Sequence, residues 1–176
     1  MSQFPTGVRV AQAVGLTGAA YLAGNISAYT FAAIPSLQTS LTSYSAPSTL
    51  IAKQWREMYN AGKAQNPPIA ILTATAFGYL AYAAHSGKSA ALDVLAPSNA
   101  VWLYTAAAAF TMGFVPWTFA AMVGTNKRLM ERAEGVSAEK NWDGEDVLEL
   151  LGEWKFLNGI RAVLPFVGGV LGFLAI

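Results

Sequence analysis

Long apolar stretches alternate with polar connections along this chain. Four of the stretches are long enough to span about 30 Å of hydrocarbon, which takes roughly 20 helical residues. They cover about 8–34, 68–86, 99–123 and 156–176, and Pro35 follows the first of them. Because lipid offers the backbone no hydrogen-bond partner, each stretch is predicted to be an α-helix. The pattern therefore predicts an all-α, four-transmembrane-helix bundle.

The first polar connection contains a further helical pattern. Residues 51–62 place Trp55 and Tyr59 four positions apart, on one face of a helix. Tryptophan and tyrosine are enriched at membrane–water interfaces, so we interpret this segment as a short interfacial helix in the first cytosolic loop. Together, residues 1–176 are predicted to form a single membrane domain.

Lysine and arginine residues are unevenly divided between the two sides of the predicted bundle. The connections after the first and third stretches carry most of them, namely Lys53, Arg56, Lys63, Lys127, Arg128, Arg132, Lys140 and Lys155. The opposite side has Arg9 and Lys88. The positive-inside rule then places both termini on the non-cytosolic side. We expect the endoplasmic reticulum or a vesicle membrane in a fungus, and the plasma membrane in a bacterium.

Composition agrees with a membrane protein and narrows its chemistry. Of the 176 residues, 54% are hydrophobic and 12% charged, against about 25% charged in soluble domains. The absence of cysteine excludes disulfides, iron–sulfur clusters and thiolate metal sites. A formal net charge of +1 gives no electrostatic footprint for nucleic acid. Membrane lipid is therefore an expected partner, and nucleic acid is not.

Small residues form faces on two of the predicted helices. They recur at four-residue spacing as Ala20, Gly24, Ala28 and Ala32, and again as Gly168 and Gly172. Such faces let helix backbones approach closely. They predict helix contacts within the bundle, or between copies in a homo-oligomer.

Candidate chemistry concentrates at the start of the fourth stretch. Trp154, Asn158 and Arg161 fall on one face of a helix. A span that began after Arg161 would have only about 15 residues, about 22 Å, which is too short to cross. Arg161 therefore lies inside the apolar region. Either it snorkels to the cytosolic headgroups, or it faces a pocket as a cation for an anionic substrate.

Other polar and aromatic residues admit two interpretations each. Asn126, which follows Trp117 at the end of the third stretch, either caps that helix or lines the same pocket, and capping is favoured. Trp55 and Tyr59 suit either an interfacial belt or contacts to a substrate. No carboxylate lies in the middle of a predicted span, which argues against a proton-coupled transporter.

His85 is the only histidine of the chain and lies at the outer end of the second stretch. One histidine cannot build a His-rich metal site, so no metal site is predicted. It can serve as one axial haem ligand or as a general base. We favour an exposed histidine with neither role.

Several of these residues stand in an order that resembles the anthrone oxygenase family. The order is Gln54-Trp55-x-x-Met58-Tyr59-x-x-Gly62, Pro116-Trp117-Thr118, Thr125-Asn126-x-x-Leu129, and Trp154-x-x-Leu157-Asn158-x-x-Arg161 with Pro165. The resemblance covers nearly the whole chain, including the plan of four helices. Its last two segments are the most specific.

The resemblance implies a membrane-embedded monooxygenase that oxidises a polyketide anthrone to an anthraquinone with molecular oxygen, through a stabilised anthrolate anion. Arg161 and Asn158 would then stabilise the anthrolate oxygen, and Trp154 would complete the catalytic face. The resemblance also implies that no cofactor is needed, with haem on His85 as the alternative.

The same resemblance assigns further roles around that face. It implies a lipophilic aromatic small molecule as the substrate, and the residues expected to bind this flat molecule are Trp55, Tyr59, Trp117 and Asn126. The general base stays open among three candidates, which are Tyr59, Glu153 and His85.

An alternative from another class is a non-enzymatic membrane scaffold or assembly protein. Its Gly/Ala faces would hold neighbouring subunits, and the acidic segment 125–155 would serve as a docking surface. A small transporter ranks third, because the two halves of the chain show no repeat.

Overall fold

A computed structural model of the chain describes residues 5–86, 97–135 and 144–176. Within these ranges every assigned element is helical, which confirms the predicted all-α class. In chain order, α1 spans Thr6–Ala28, α2 Ile34–Ser43, α3 Ser48–His85, α4 Ala100–Trp117, α5 Val123–Glu134 and α6 Gly144–Leu174. Most of the predicted connection between the second and third stretches, at 87–96, lies outside the described residues.

Two π-helical turns join neighbouring helices, Tyr29–Ala33 between α1 and α2 and Thr118–Met122 between α4 and α5. Each lies close to a proline, which has no N–H to donate into the helical ladder. The first precedes Pro35, and Ile34 there donates its N–H to the carbonyl five residues back. The second follows Pro116. Wide turns of this kind recur at functional sites in helices.

The segment predicted as a short interfacial helix is not a separate element. Helix α3 runs without a break from Ser48 to His85 and includes Pro67 and Pro68, where the second span was predicted to begin. The fixed φ of proline is close to the helical value, and membrane helices tolerate the lost hydrogen bond. The predicted break before Pro67 is therefore wrong.

The other helices also extend beyond their apolar stretches. The first continues through its π-turn to Ser43, the third reaches Glu134, and the last begins at Gly144 rather than near 156. Hydropathy marks only the part of a helix that suits hydrocarbon, whereas the backbone ladder continues until a residue stops it. For α5 that residue is Gly135, whose φ of 69° is left-handed.

Three helices are long and apolar enough to cross a membrane, namely α3, the continuous α4–α5 segment and α6. The segment that contains α1 is not among them, so the described residues give three candidate spans where the sequence predicted four. Several large apolar side chains on these three helices are more than half exposed, as lipid-facing residues are. They include Leu72, Trp102, Phe119, Phe156, Phe166 and Phe173. These features indicate a membrane protein.

The chain divides into two compact units. The first comprises Met1–Gly24, Asn66–Val115 and Ala162–Ile176, and the second comprises Asn25–Gln65 and Pro116–Arg161. Each unit has its own apolar core, and the two cores share no residue.

Close approach of helices in the first unit depends on glycine. The fully buried ring of Phe77 lies where a Cβ at Gly15 or Gly172 would stand. A Cβ at Gly168 would lie 2.9 Å from the carbonyl oxygen of Ala107 in α4. The predicted Gly168/Gly172 face is therefore a helix contact within the chain.

The other predicted small-residue face has a different environment. Its members are exposed in the structure and are Ala20, Gly24, Ala28 and Ala32. Close packing within the chain therefore does not account for this face.

Replacing Gly168 with alanine should destabilise the protein by about 1–3 kcal/mol, because the new methyl overpacks against backbone that cannot move alone. Thermal unfolding in detergent measures this loss. Gly78→Ala is the matched control, since a Cβ there meets nothing within 4 Å and alanine is the better helix former. Equal melting temperatures for the two variants would contradict the packing described for Gly168.

Candidate active site

One buried face of α6 carries the three residues singled out in the fourth stretch. Trp154, Asn158 and Arg161 are 1%, 0% and 8% exposed. They belong to the second unit and follow one another at turn spacing. The helix thus aims an indole, an amide and a guanidinium into the protein, as their sequence spacing predicted.

Trp154 is fixed by Asn126. Its indole Nε1 donates a hydrogen bond to Asn126 Oδ1 at 2.9 Å, and both side chains are buried. The prediction that Asn126 caps a helix is wrong, because the helix continues to Glu134 and leaves no open end at 126. Because Asn126 lies within a helix rather than at its end, its side-chain oxygen accepts from Trp154 in α6 instead of capping a backbone N–H.

Asn158 ties α6 to the first π-turn region. Its Nδ2 donates to the carbonyl oxygen of Ile26 and to Thr30 Oγ1, both at 2.9 Å. Both amide hydrogens are therefore occupied, and Oδ1 remains as an acceptor. Sequence reasoning missed Thr30 and Ile26. The only signal for them was a threonine shortly before Pro35 in an apolar stretch.

Aromatic side chains pack on this part of α6, at Trp154 and Leu157. Trp55 and Tyr59 stack with centroids 5.2 Å apart and planes 16° from parallel. Trp55 meets Trp154 edge-on at 6.1 Å and 86°. Trp117 donates from Nε1 to the carbonyl oxygen of Leu157 at 3.2 Å. Since Trp55 is fully buried, the interfacial-belt interpretation is wrong for it, because it packs inside the second core.

Arg161 is buried rather than extended to the surface. Its 8% exposure does not fit a snorkelling side chain, whose guanidinium would be exposed at the headgroups. The phenol groups of Tyr59 and Tyr29 are close enough to interact with it electrostatically. The snorkelling interpretation therefore does not fit the structure, which adds Tyr29 to the residues near Arg161.

Ion pairs link α5 to the start of α6 beside this site. Arg132, 6% exposed, donates to both carboxylate oxygens of Asp146, at 2.8 and 3.3 Å. Thr125 Oγ1 donates to Glu153 at 2.6 Å, and Arg128 lies 3.8 Å from the same carboxylate. We call these contacts the α5–α6 clasp. Glu153, one of the three candidate bases, is thus engaged by two neighbours.

His85 does not belong to the same unit as these residues. It is exposed, ends α3 and belongs to the first unit. Among the described residues, no three His, Cys, Asp or Glu side chains form a group that could hold a metal ion. The structure gives the haem alternative no support.

A surface groove in the first unit has a volume of about 320 Å³. Its lining is apolar and includes Leu16, Pro165, Phe166 and Phe173. None of the predicted site residues lines it. It offers apolar contact but no group that could move a proton or stabilise an anion.

Three helices that are long and apolar enough to cross a membrane, together with a buried guanidinium near tyrosine side chains, are features of a membrane protein. Comparison with known proteins identifies the family to which this membrane protein belongs. The model of the family described as anthrone oxygenase matches residues 55–171. The chain belongs to the anthrone oxygenase family.

Named relatives agree with this assignment. Anthrone oxygenase encC of Aspergillus fumigatus is 38% identical over 92% of this chain and 90% of its own length. Anthrone oxygenase AgnL2 of Paecilomyces divaricatus is 28% identical over 93% of both chains. Noranthrone monooxygenase of Aspergillus flavus is 30% identical over 74% of this chain and 57% of its own length. No solved structure matches. The family predicted from the sequence is therefore confirmed, and with it the prediction of an oxygenase.

The α5–α6 clasp should contribute measurably to stability. Asp146→Ala leaves the buried Arg132 without its shortest contact, and we expect a loss of about 1–3 kcal/mol, the range for hydrogen bonds to charged groups. Thermal unfolding in detergent tests this. Glu57→Ala is the control, because Glu57 is exposed and pairs with its neighbour Arg56, so its loss should stay within about 0.5 kcal/mol. A loss for Asp146→Ala no larger than the control's would show that the clasp is dispensable.

Proposed function

We propose that this chain oxidises a polyketide anthrone to the corresponding anthraquinone with molecular oxygen, inside a membrane. The family and its named relatives support the reaction. The observation that carries it at the site is the burial of Arg161 near Tyr29 and Tyr59, the second of which stacks on Trp55. A buried guanidinium raises the affinity of such a site for an anion, and the aromatic walls favour a planar one.

The chemistry requires little beyond a base and a cation. Loss of a proton from the anthrone methylene gives a delocalised aromatic anion, the anthrolate. The anthrolate passes one electron to oxygen, and the resulting radical and superoxide combine in a carbon–oxygen bond, which a proton converts to a hydroperoxide. Loss of water then breaks the oxygen–oxygen bond and removes the second methylene hydrogen. One oxygen atom enters the quinone and the other leaves as water. Because the substrate supplies all the electrons that oxygen takes up, we propose a cofactor-free reaction.

The contacts described above suggest a division of roles. Arg161 stabilises the anthrolate oxygen. Asn158 has donated both amide hydrogens to the first helical segment, so it positions α6 and offers its Oδ1 to a substrate hydroxyl. Trp154, held by Asn126, forms the floor of the site.

We assign the side walls of the site to Trp55, Tyr59 and Trp117, and the general base to Tyr59. Of the three candidate bases, Tyr59 lies close enough to Arg161 to interact with it electrostatically. Glu153 is held by the clasp. The anthrone, being lipophilic, would enter from the bilayer.

We also propose that the chain crosses the membrane four times as one domain, with the α1–α2 segment as the additional span and both termini on the non-cytosolic side. The distribution of lysine and arginine supports this orientation. The fungal origin of the relatives named above supports the endoplasmic reticulum or a vesicle membrane.

Arg161→Ala should lower enzyme-dependent oxidation of emodin anthrone by about 10²–10³-fold, the usual effect of removing one oxyanion-stabilising group. The measurement is anthraquinone formation under air in membranes with matched protein levels, after subtraction of spontaneous autoxidation. Arg161→Lys should retain part of the activity because it keeps the charge. Arg9→Ala, at an exposed position, is the control and should match the wild type.

The outcomes distinguish an error in the proposed site from an error in the proposed activity. Activity retained in Arg161→Ala would leave an oxygenase whose cation lies elsewhere. No excess over autoxidation with folded wild-type protein would overturn the anthrone reaction and favour the scaffold alternative.

Single cysteines should report the topology without background, because the chain has none. In sealed vesicles, an impermeant thiol reagent should label Thr42→Cys and Ser98→Cys from opposite sides, since one helix crossing separates these exposed positions. Labelling of Thr42→Cys from the non-cytosolic side would contradict the proposed orientation. Labelling of both from one side would contradict the crossing between them.

A further inference from the structure

Two polar atoms in the second unit are fully buried and have no hydrogen-bond partner among the described residues. They are the indole Nε1 of Trp55 and the amide Oδ1 of Asn158, each on a side chain that is 0% exposed. An unpaired buried polar atom costs about 1–3 kcal/mol. Two such atoms in one core suggest a partner that binds there.

The orientation of the Asn158 amide is set by its chemistry. The carbonyl oxygen of Ile26 is only an acceptor, so the atom of Asn158 that faces it at 2.9 Å must be the nitrogen. The oxygen is therefore the unpaired atom, and rotation of the amide would break the bond to Ile26 by setting two acceptors against each other. Asn158 Oδ1 is a fixed acceptor.

Trp55 supplies the opposite polarity. Indole Nε1–H only donates, and the Trp55 ring is held between Tyr59, stacked at 5.2 Å, and Trp154, edge-on at 6.1 Å. Asn158 follows Trp154 by one helical turn. The donor thus belongs to a ring that meets Trp154, and the acceptor to the residue one turn after Trp154. A ligand that pairs both must carry a hydroxyl that donates and an oxygen that accepts.

We propose that Trp55 Nε1 and Asn158 Oδ1 determine substrate specificity, and that they select anthrones with ring hydroxyl groups over the unsubstituted ring. Asn158 accepts a hydrogen bond from one substrate hydroxyl, and Trp55 donates one to the oxygen of a second hydroxyl. This inference rests on the proposed function. It addresses which anthrone is bound. The role proposed for Arg161 is different, because Arg161 would stabilise the negative charge that develops on any bound anthrone.

The test compares binding of two quinones that differ in hydroxyl groups, so it needs no turnover. Danthron, a dihydroxyanthraquinone, and unsubstituted anthraquinone are titrated into the purified protein in detergent, with protein-free micelles subtracted. The wild type should prefer danthron by roughly tenfold or more, and Trp55→Phe should reduce that preference roughly fivefold, the effect of about 1 kcal/mol from one hydrogen bond. Thr30→Val disturbs the same buried network but keeps Trp55 Nε1 and Asn158 Oδ1. It should therefore change the affinities for both quinones and leave the ratio of the two affinities unchanged.

The ratio of the danthron and anthraquinone affinities tests the proposal. An unchanged ratio in Trp55→Phe, or no preference in the wild type, would overturn it and leave buried water as the partner of both atoms. If the phenylalanine variant does not fold, benzothienylalanine at 55, which replaces the indole N–H with sulfur, provides the same comparison. A preserved preference without oxidation of any anthrone would defeat the proposed function instead. Oxidation of dithranol and unsubstituted anthrone at equal rates, with equal quinone affinities, would defeat only this inference.

Discussion

A polar side chain within a membrane helix must find its hydrogen-bond partners inside the protein, because lipid supplies none. Asn158 meets this constraint by donating to Ile26 and Thr30, and Trp154 meets it by donating to Asn126. These bonds fix how α6 is rotated about its axis. The inward direction of Arg161, one turn beyond Asn158, follows from that rotation, and so does the aromatic setting in which its charge acts.

Helical periodicity explains how much of the site the sequence could predict. Residues three or four positions apart share a face whatever packs against it, so the alignment of Trp154, Asn158 and Arg161 and that of Trp55 and Tyr59 could be predicted before any contact was known. The partners could not. Thr30 lies 128 positions from Asn158 in the chain, and a single sequence contains no signal that joins residues at such a distance.

Helix boundaries were harder to predict for a related reason. Proline and a drop in hydropathy normally mark an end, yet α3 continues through Pro67 and Pro68, and the helix that contains Asn126 continues to Glu134. Hydropathy reports where lipid is favourable, whereas a helix ends where its backbone is capped. Asn126 changes from a presumed cap to a hydrogen-bond acceptor for this reason.

The α5–α6 clasp also affects the chain between its ends. Arg132 and Asp146 stand 14 positions apart, so their bond closes a loop and joins α5 to the start of α6. The entropy of closing a flexible loop grows only with the logarithm of its length, about 0.6 kcal/mol for each doubling. A peptide tag inserted between the two residues would thus add little to that cost and leave the helices on either side where the clasp holds them.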